Sequence, residues 1–343
     1  MKRVLQTVFL AAFLSCLPLS SAHAWLYVNT SLAPLIPATG LANTIMQLDN
    51  TIYNNFKNYP SAFSLANIGG YPVGDALIGD FPHMYFGASF TVGCAFMKYY
   101  DEHIPREKYI YPAYAPNPVL ILGFGLKEGF DILFKLMIFT DAIYRPPLNQ
   151  KSAKLTKFNF YSGGVKLRKN LVPKRDILPH LFNFGGFTVS VGADYMEGII
   201  GINGNYNYTL NGISVGGSSS DILFSAYYNF NLKWLMFGWN AQAVTYINFL
   251  WIFDLYAGFG FALTWGNLGL DGSGVGPITS PVLGSLGLIL ARAEYKKKPK
   301  PFMGLFIGGF EINLWVLKIT LETDVNLTNG KDINLQLGTR FQF

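Results

Sequence analysis

Residues 333–343 read Ile-Asn-Leu-Gln-Leu-Gly-Thr-Arg-Phe-Gln-Phe. Ile333, Leu335, Leu337, Phe341 and Phe343 fall at odd positions, with Asn334, Gln336, Arg340 and Gln342 between them. Successive side chains of a β-strand point to opposite faces, so this run makes a strand with one apolar and one polar face. Its length is close to the 9–11 or so residues that a tilted strand needs to cross hydrocarbon. Just before it, Thr328-Asn329-Gly330-Lys331-Asp332 makes a compact hairpin turn, because Asn and Gly tolerate positive φ.

The same alternation recurs upstream. Met84, Phe86, Ala88, Phe90 and Val92 oppose Tyr85, Gly87, Ser89, Thr91 and Gly93. Val189, Val191, Ala193 and Tyr195 oppose Thr188, Ser190, Gly192 and Asp194. Leu255, Ala257, Phe259, Phe261, Leu263 and Trp265 oppose Tyr256, Gly258, Gly260, Ala262 and Thr264. Soluble sandwich strands are nearer 5–6 residues. Aromatics at the run ends, such as Tyr195, Trp234 and Trp265, suit interfacial girdles. Every backbone polar group in hydrocarbon needs an internal partner, so such strands must close into an antiparallel transmembrane β-barrel.

Composition agrees. The 343 residues are 50% apolar, only 13% charged and 16% aromatic, with 36 glycines. Soluble domains carry roughly 25% charge, and disordered chains have the opposite balance. A helical membrane protein fits poorly. Only Trp234–Phe253 makes a clean charge-free span; Gly272–Ala291 is spoiled by Gly272, Gly274, Gly276, Pro277 and Pro281.

The candidate strands are 83–98, 116–127, 131–142, 155–169, 185–197, 203–215, 221–236, 240–252, 254–266, 284–296, 301–312, 315–327 and 333–343, thirteen in all. Bacterial single-chain barrels have an even number, so the expectation is about fourteen, with twelve as the alternative and the missing crossing sought in 170–184. On this count Asp101–Ala115 is an outward loop and Gly269–Gly276 a glycine-rich one. The face turned from lipid carries few charges: Asp194, Lys233, Lys318, Glu322, Asp324 and Arg340.

Residues 1–24, MKRVLQTVFLAAFLSCLPLSSAHA, have a basic start, an apolar core and an Ala22-His23-Ala24 cleavage site. They read as a signal peptide; Cys16 offers a competing lipoprotein box. Removing Lys2 and Arg3 leaves 24 basic against 20 acidic residues, too balanced for a nucleic-acid partner. Basic clusters at Lys296–Lys300 and between Lys151 and Arg175 read as solvated rims, with lipid phosphate as the lesser reading. Cys94 is the one cysteine left, so no internal disulfide is expected. The amphipathic last strand ending in Phe341 and Phe343 resembles the insertion signal of bacterial outer-membrane barrels. That implies the bacterial outer membrane as location, with the barrel assembly machinery and lipopolysaccharide or outer-leaflet lipid as partners.

Residues 25–82 differ in kind from the barrel at 83–343. Leu41, Ile45, Leu48, Ile52 and Phe56 recur at helical spacing, predicting an amphipathic helix near 41–59 stopped by Pro60. Its apolar face must be buried, either as a plug or hatch in the barrel mouth or against the membrane interface. A hatch ahead of about fourteen strands resembles the layout of the long-chain fatty-acid transporter family. That resemblance implies uptake of hydrophobic or amphipathic small molecules; it carries no ligand residue. A structural or adhesive surface barrel is the alternative. His83, His103 and His180 sit in no catalytic pattern, and neither metal-ligand spacing nor a phosphate loop is present. The chain is not expected to be an enzyme or to need a cofactor.

Overall fold

The computed structural model describes residues 56, 58–71, 83–100, 108–141, 149–150, 153–178, 181–215, 218–250, 252–282 and 284–343. Among the described residues, the helix α1 (Tyr59–Ile68) precedes the strands β1 (His83–Tyr100), β2 (Lys108–Gly125), β3 (Phe130–Phe139), β4 (Asn149–Gln150) and β5 (Ala153–Val172). There follow β6 (Arg175–Leu178), β7 (Phe182–Val215), β8 (Ser218–Phe249), β9 (Phe253–Ser280) and β10 (Gly284–Lys297). The chain ends in β11 (Phe302–Leu314), β12 (Leu317–Asn326) and β13 (Asp332–Gln342).

Antiparallel pairing closes the sheet on itself. The ring runs β1-β2-β3-β5-β7-β8-β9-β11-β12-β13 and returns to β1, where Met84 and Phe343 exchange backbone hydrogen bonds of 3.2 and 2.9 Å. A closed ring leaves no strand edge unpaired, which hydrocarbon demands. The ring among the described residues has ten members, fewer than the fourteen or twelve expected. Three pairs of expected strands prove continuous or collinear: 185–197 with 203–215 in β7, 221–236 with 240–252 in β8, and 284–296 with 301–312 as β10 and β11, which both pair with β9. Thirteen segments thus become an even ten. Among the described residues of 170–184 there is no crossing; β6 turns back there and pairs with the start of β7.

Short turns gather at the end that holds Phe343. Trp315 at φ 60° makes the tight β11–β12 turn, and Glu128 and Gly129 at φ 62° and 72° make the one after β2. At the opposite end, Gly330 adopts φ 61° in the expected Asn-Gly hairpin. Two expected loops are strands instead. Lys108–Ala115 pairs with β1, and Pro112, Pro116 and Pro118 are tolerated because β3 joins β2 only from Leu120 onward. Gly269–Gly276 lies within β9, paired with β8 on one side and β10 on the other.

The outward face changes character along the tall strands. On β9 the exposed residues Phe253, Leu255, Phe259, Phe261, Leu263 and Trp265 form the apolar band, with Phe259 64% exposed. Cross-strand register puts Tyr195, Phe237 and Trp265 in one row, their rings 5.2 and 6.0 Å apart. Above that row the outward residues are Glu197, Lys233 and Asp271, the last two ion-paired at 2.8 Å in the open. From Phe253 to Trp265, a strand tilted like those of other barrels rises roughly 30 Å, close to the thickness of a bilayer core. This is the surface a barrel presents to lipid, bounded by an aromatic girdle.

The interior inverts at the same level. Below the girdle the inward residues of β7 and β8 are Thr188, Ser190, Asp194, Asn240 and Gln242; above it they are Met196, Ile200, Leu232, Trp234 and Met236. The reason is physical. Where lipid bathes the outside, the apolar face points out and polar groups turn inward. Where water bathes it, the inner face must be the core. Lys233, expected in the lumen, therefore lies outside, and Trp234, expected in the girdle, is buried inside at 2% exposure.

Candidate functional site

The site sits at this inversion. On β3, Asp131, Leu133 and Lys135 alternate with the outward Ile132, Phe134 and Leu136, and on β5 Lys166 and Arg168 alternate with the outward Val165 and Leu167. Strand parity thus delivers basic groups into the lumen from one wall. Asp194, Asp254, Glu311, Glu322 and Asp324 enter from β7, β9, β11 and β12, and all are buried. Buried charge is tolerable only where ion-pair or hydrogen-bond partners meet it, and each of these groups has at least one. Arg168 donates through Nε to Asp131 Oδ2 at 2.8 Å, with its Nη2 2.6 Å from the same oxygen. Arg340 donates to both Glu311 oxygens at 3.0 and 2.8 Å, and Thr320 adds a 2.8 Å bond. Tyr256 donates to Glu322 at 2.9 Å, and Asn334 to Asp324 at 2.9 Å.

Above this belt the lumen holds α1. The helix expected near 41–59 lies almost wholly outside the described residues; Pro60 occupies the first turn of α1, where an absent N–H costs nothing because no carbonyl awaits it. α1 stops at Gly69-Gly70, where Gly70 takes φ 94°. Every residue of α1 is buried, and it contacts β1, β2, β7, β8, β9 and β13. A helix touching six strands of one ring lies inside it. Phe63 packs on Trp234 with ring centroids 5.0 Å apart, while Leu65 and Ile68 join a cluster with Val244, Tyr246 and Leu305.

The C-terminal end of α1 is held by polar groups. Lys135 Nζ donates to the carbonyls of Asn67 and Gly69, the latter at 2.6 Å, and pairs with Asp194 at 2.7 Å with both side chains fully buried. Asn117 donates to Ala66 O at 2.8 Å, and Gly70 N to Gln336 at 2.7 Å. A cation at a helix C-terminus meets the negative end of the dipole and the last unpaired carbonyls. Just beyond, the Tyr71 ring lies between Lys135 and Lys166, at 4.7 and 4.8 Å from their ammonium groups. Burial and the Asp194 carboxylate push the Tyr71 hydroxyl well above its ordinary value, so it stays neutral. Gly93 completes the seat, because a β-carbon there would strike Ala62 O and stand 2.8 Å from Ala66 N.

Of the residues singled out from the sequence, Leu41, Ile45, Leu48 and Ile52 lie outside the described residues, as do Ala22, Ala24, Cys16, His103 and His180. Phe56 is described and buried, stacking on Tyr59 at 5.5 Å and meeting Tyr295 edge-on at 5.1 Å. Phe341 and Phe343 are exposed on the outward face, and Phe343 borders a cavity of about 610 Å³ at the rim with His83, Met84, Phe124, Leu126 and Ile132. Asp194, Lys318, Glu322, Asp324 and Arg340 line the lumen as expected. Asp131, Lys135, Lys166, Arg168, Asp254 and Glu311 had been missed. Their parity against exposed neighbours is the signal that would have found them.

Among known proteins, one family model, described as Lsa36-like, matches residues 109–343, well over half of the chain and all of it from β2 to β13. The chain belongs to the Lsa36-like family. No curated relative matches this Lsa36-like chain. Similar solved structures include the translocator domain of the autotransporter NalP from Neisseria meningitidis, at 8% identity and TM-score 0.30, covering 92% of this chain and all of that one. They also include the P. putida toluene transporter TodX, at 10% identity and TM-score 0.25, covering 82% and 98%. A Pseudomonas aeruginosa FadL homologue matches at 10% identity and TM-score 0.21, covering 83% and 96%. At such scores no residue role passes from them to the Lsa36-like chain.

Proposed function

We propose that the chain is an outer-membrane channel for hydrophobic or amphipathic, fatty-acid-like small molecules, closed at rest by the segment that contains α1. The observation that carries this reading is the way α1 is held. One end packs on apolar side chains and the other is tethered by separate hydrogen bonds, donated by Lys135 and Asn117 and accepted by Gln336. Polar tethers can be exchanged for water one at a time, whereas a continuous core would have to be lost at once. Phe158, Phe160, Ile200, Leu232 and Trp234 pack with Tyr59, Ala62 and Phe63 in one buried apolar cluster, and moving α1 would bare an apolar lining of the kind ligand sites use. On this reading residues 25–82 form the hatch and 83–343 the barrel. Cleavage after Ala24 would release the mature chain, and the assembly machinery would read the outward Phe341 and Phe343.

Removing residues 25–71 is expected to raise the single-channel conductance in planar bilayers several-fold. Unchanged conductance, in protein whose folding is verified by heat-shifted gel mobility, would contradict the channel. A second reading has one observation in its favour. Strands β7, β8 and β9 of 34, 32 and 28 residues stand well past the girdle, and a surface barrel that contacts host or matrix would use such a wall. Swapping the tip at 205–229 without loss of binding to any surface ligand would count against it.

A further inference from the structure

We propose that Lys233, Lys296, Lys298 and Lys300 form a binding site for the phosphate groups of an outer-leaflet lipid. The inference rests on the barrel's place in the outer membrane and not on transport. Lys233 of β8, Gly269 of β9 and Lys296 of β10 share one cross-strand row. That row is two outward positions above the girdle row of Tyr195, Phe237 and Trp265. Lys298 and Lys300 follow β10 as the chain drops toward β11, and Thr264 holds that descent beside Trp265. Its N–H donates to Pro301 O at 2.9 Å and its hydroxyl to Lys300 O at 2.5 Å. The run Lys296–Lys300, which as sequence looked like any solvated rim, is thereby fixed at the height where lipid headgroups begin.

The local geometry suits a phosphate. Strands are spaced about 4.8 Å apart, so Lys233 and Lys296 stand roughly 10 Å apart across Gly269. A β-carbon at Gly269 would meet nothing closer than 3.9 Å, so the gap between the two lysines is an open notch with an ammonium on each side. Lys296, Lys298 and Lys300 are exposed. The acidic neighbours are Asp271, paired with Lys233 at 2.8 Å, Glu294 opposite Asp271 one row higher, and Glu197, which accepts a hydrogen bond from Tyr195. Lys233 and Asp271 are about half exposed, and such a pair in water holds its partners weakly. A phosphate beside low-dielectric hydrocarbon competes on better terms. Lys157 adds a further outward cation, opposite Gly201 on the row above. Acyl chains of the same lipid would lie along the band below, on Leu263 and Phe261.

The test uses the full mature chain folded in neutral detergent and titrated with diphosphorylated lipid A. The same lipid stripped of phosphate, and inorganic phosphate, serve as comparison probes. Quenching of tryptophan emission by brominated acyl chains reports occupancy. A lysine near an anionic surface contributes about five-fold in affinity. The wild type should therefore bind the phosphorylated lipid at least ten-fold more tightly than the stripped one, with the preference shrinking as salt rises. The quadruple variant K233Q/K296Q/K298Q/K300Q should lose that preference, while K127Q, at the opposite end of the barrel, should keep it. Equal binding of both lipids, or a quadruple variant that retains the preference, would overturn the site. Competition by inorganic phosphate as effective as that by the lipid would assign the lysines to free phosphate and overturn the lipid assignment. Folding into neutral vesicles is checked separately: a chain that fails to insert sinks the membrane placement, and one that inserts without phosphate preference sinks only the site.

Discussion

Replacing Lys135 by methionine is expected to destabilise the folded barrel by about 3–5 kcal/mol, the usual cost of breaking a buried ion pair from one side. Methionine keeps much of the volume and removes the charge. Asp194 would then retain Asn240 at 2.7 Å but lose the ammonium at 2.7 Å. The carbonyls of Asn67 and Gly69 would lose their donor at the end of α1. Urea unfolding in micelles measures the loss directly. The double variant K135M/D194L is expected to recover most of the ion-pair part, because removing both charges avoids an unpaired one, while the helix carbonyls stay unsatisfied. A K135M loss below about 1 kcal/mol would mean that the pair is not buried in solution as described.

Gly93→Val is the second change with a large expected effect, and it acts by shape alone. A β-carbon at Gly93 collides with backbone atoms of α1, namely Ala62 O and Ala66 N, so no side-chain rotation relieves it. β1 cannot retreat either, since β2 and β13 hold it on both sides. The helix must leave its seat. Limited chymotrypsin digestion reads this out, because α1 carries Tyr59, Phe63 and Leu65, all buried in the wild type. Wild-type protein should resist cleavage within 59–68 and the variant should be cut there with its barrel intact. Identical digests would place α1 outside the ring.

Much of this architecture was legible in the amino-acid order, and the failures have physical causes. The strands below the girdle and the outward Phe341 and Phe343 followed from period-two alternation, and the Asn329-Gly330 turn from residues that tolerate positive φ. The strand number did not, because apolar parity switches within single strands. In β8 the apolar set is odd-numbered from Phe249 to Leu235 and even-numbered from Trp234 to Leu232. Read as a lipid face throughout, that switch divides one strand into two crossings and sends Lys233 inward. Read as the point where the outside changes from lipid to water, it gives the girdle and a single strand. The Lys135 latch was illegible for another reason. Nothing local to Lys135 shows that the carbonyls it meets lie 66 and 68 residues earlier.

The central claim is that α1 sits in the lumen and closes it. A β-carbon at Gly69 would lie 2.7 Å from Cγ2 of Thr91 on β1 and 2.5 Å from the Asn334 amide nitrogen, a side-chain end that must swing aside. A sulfur in the place of that methyl is near the ~3 Å that separates a β-carbon from the far sulfur of a disulfide. The variant G69C/T91C, with Cys94→Ser to remove the native thiol, should therefore form the tether spontaneously. Single-channel recording before and after reduction is the measurement. The account predicts a conductance locked at its lowest level while the tether is oxidised, with wild-type openings restored by reductant. Equal openings in the oxidised and reduced states, with the bond verified by mass, would contradict it.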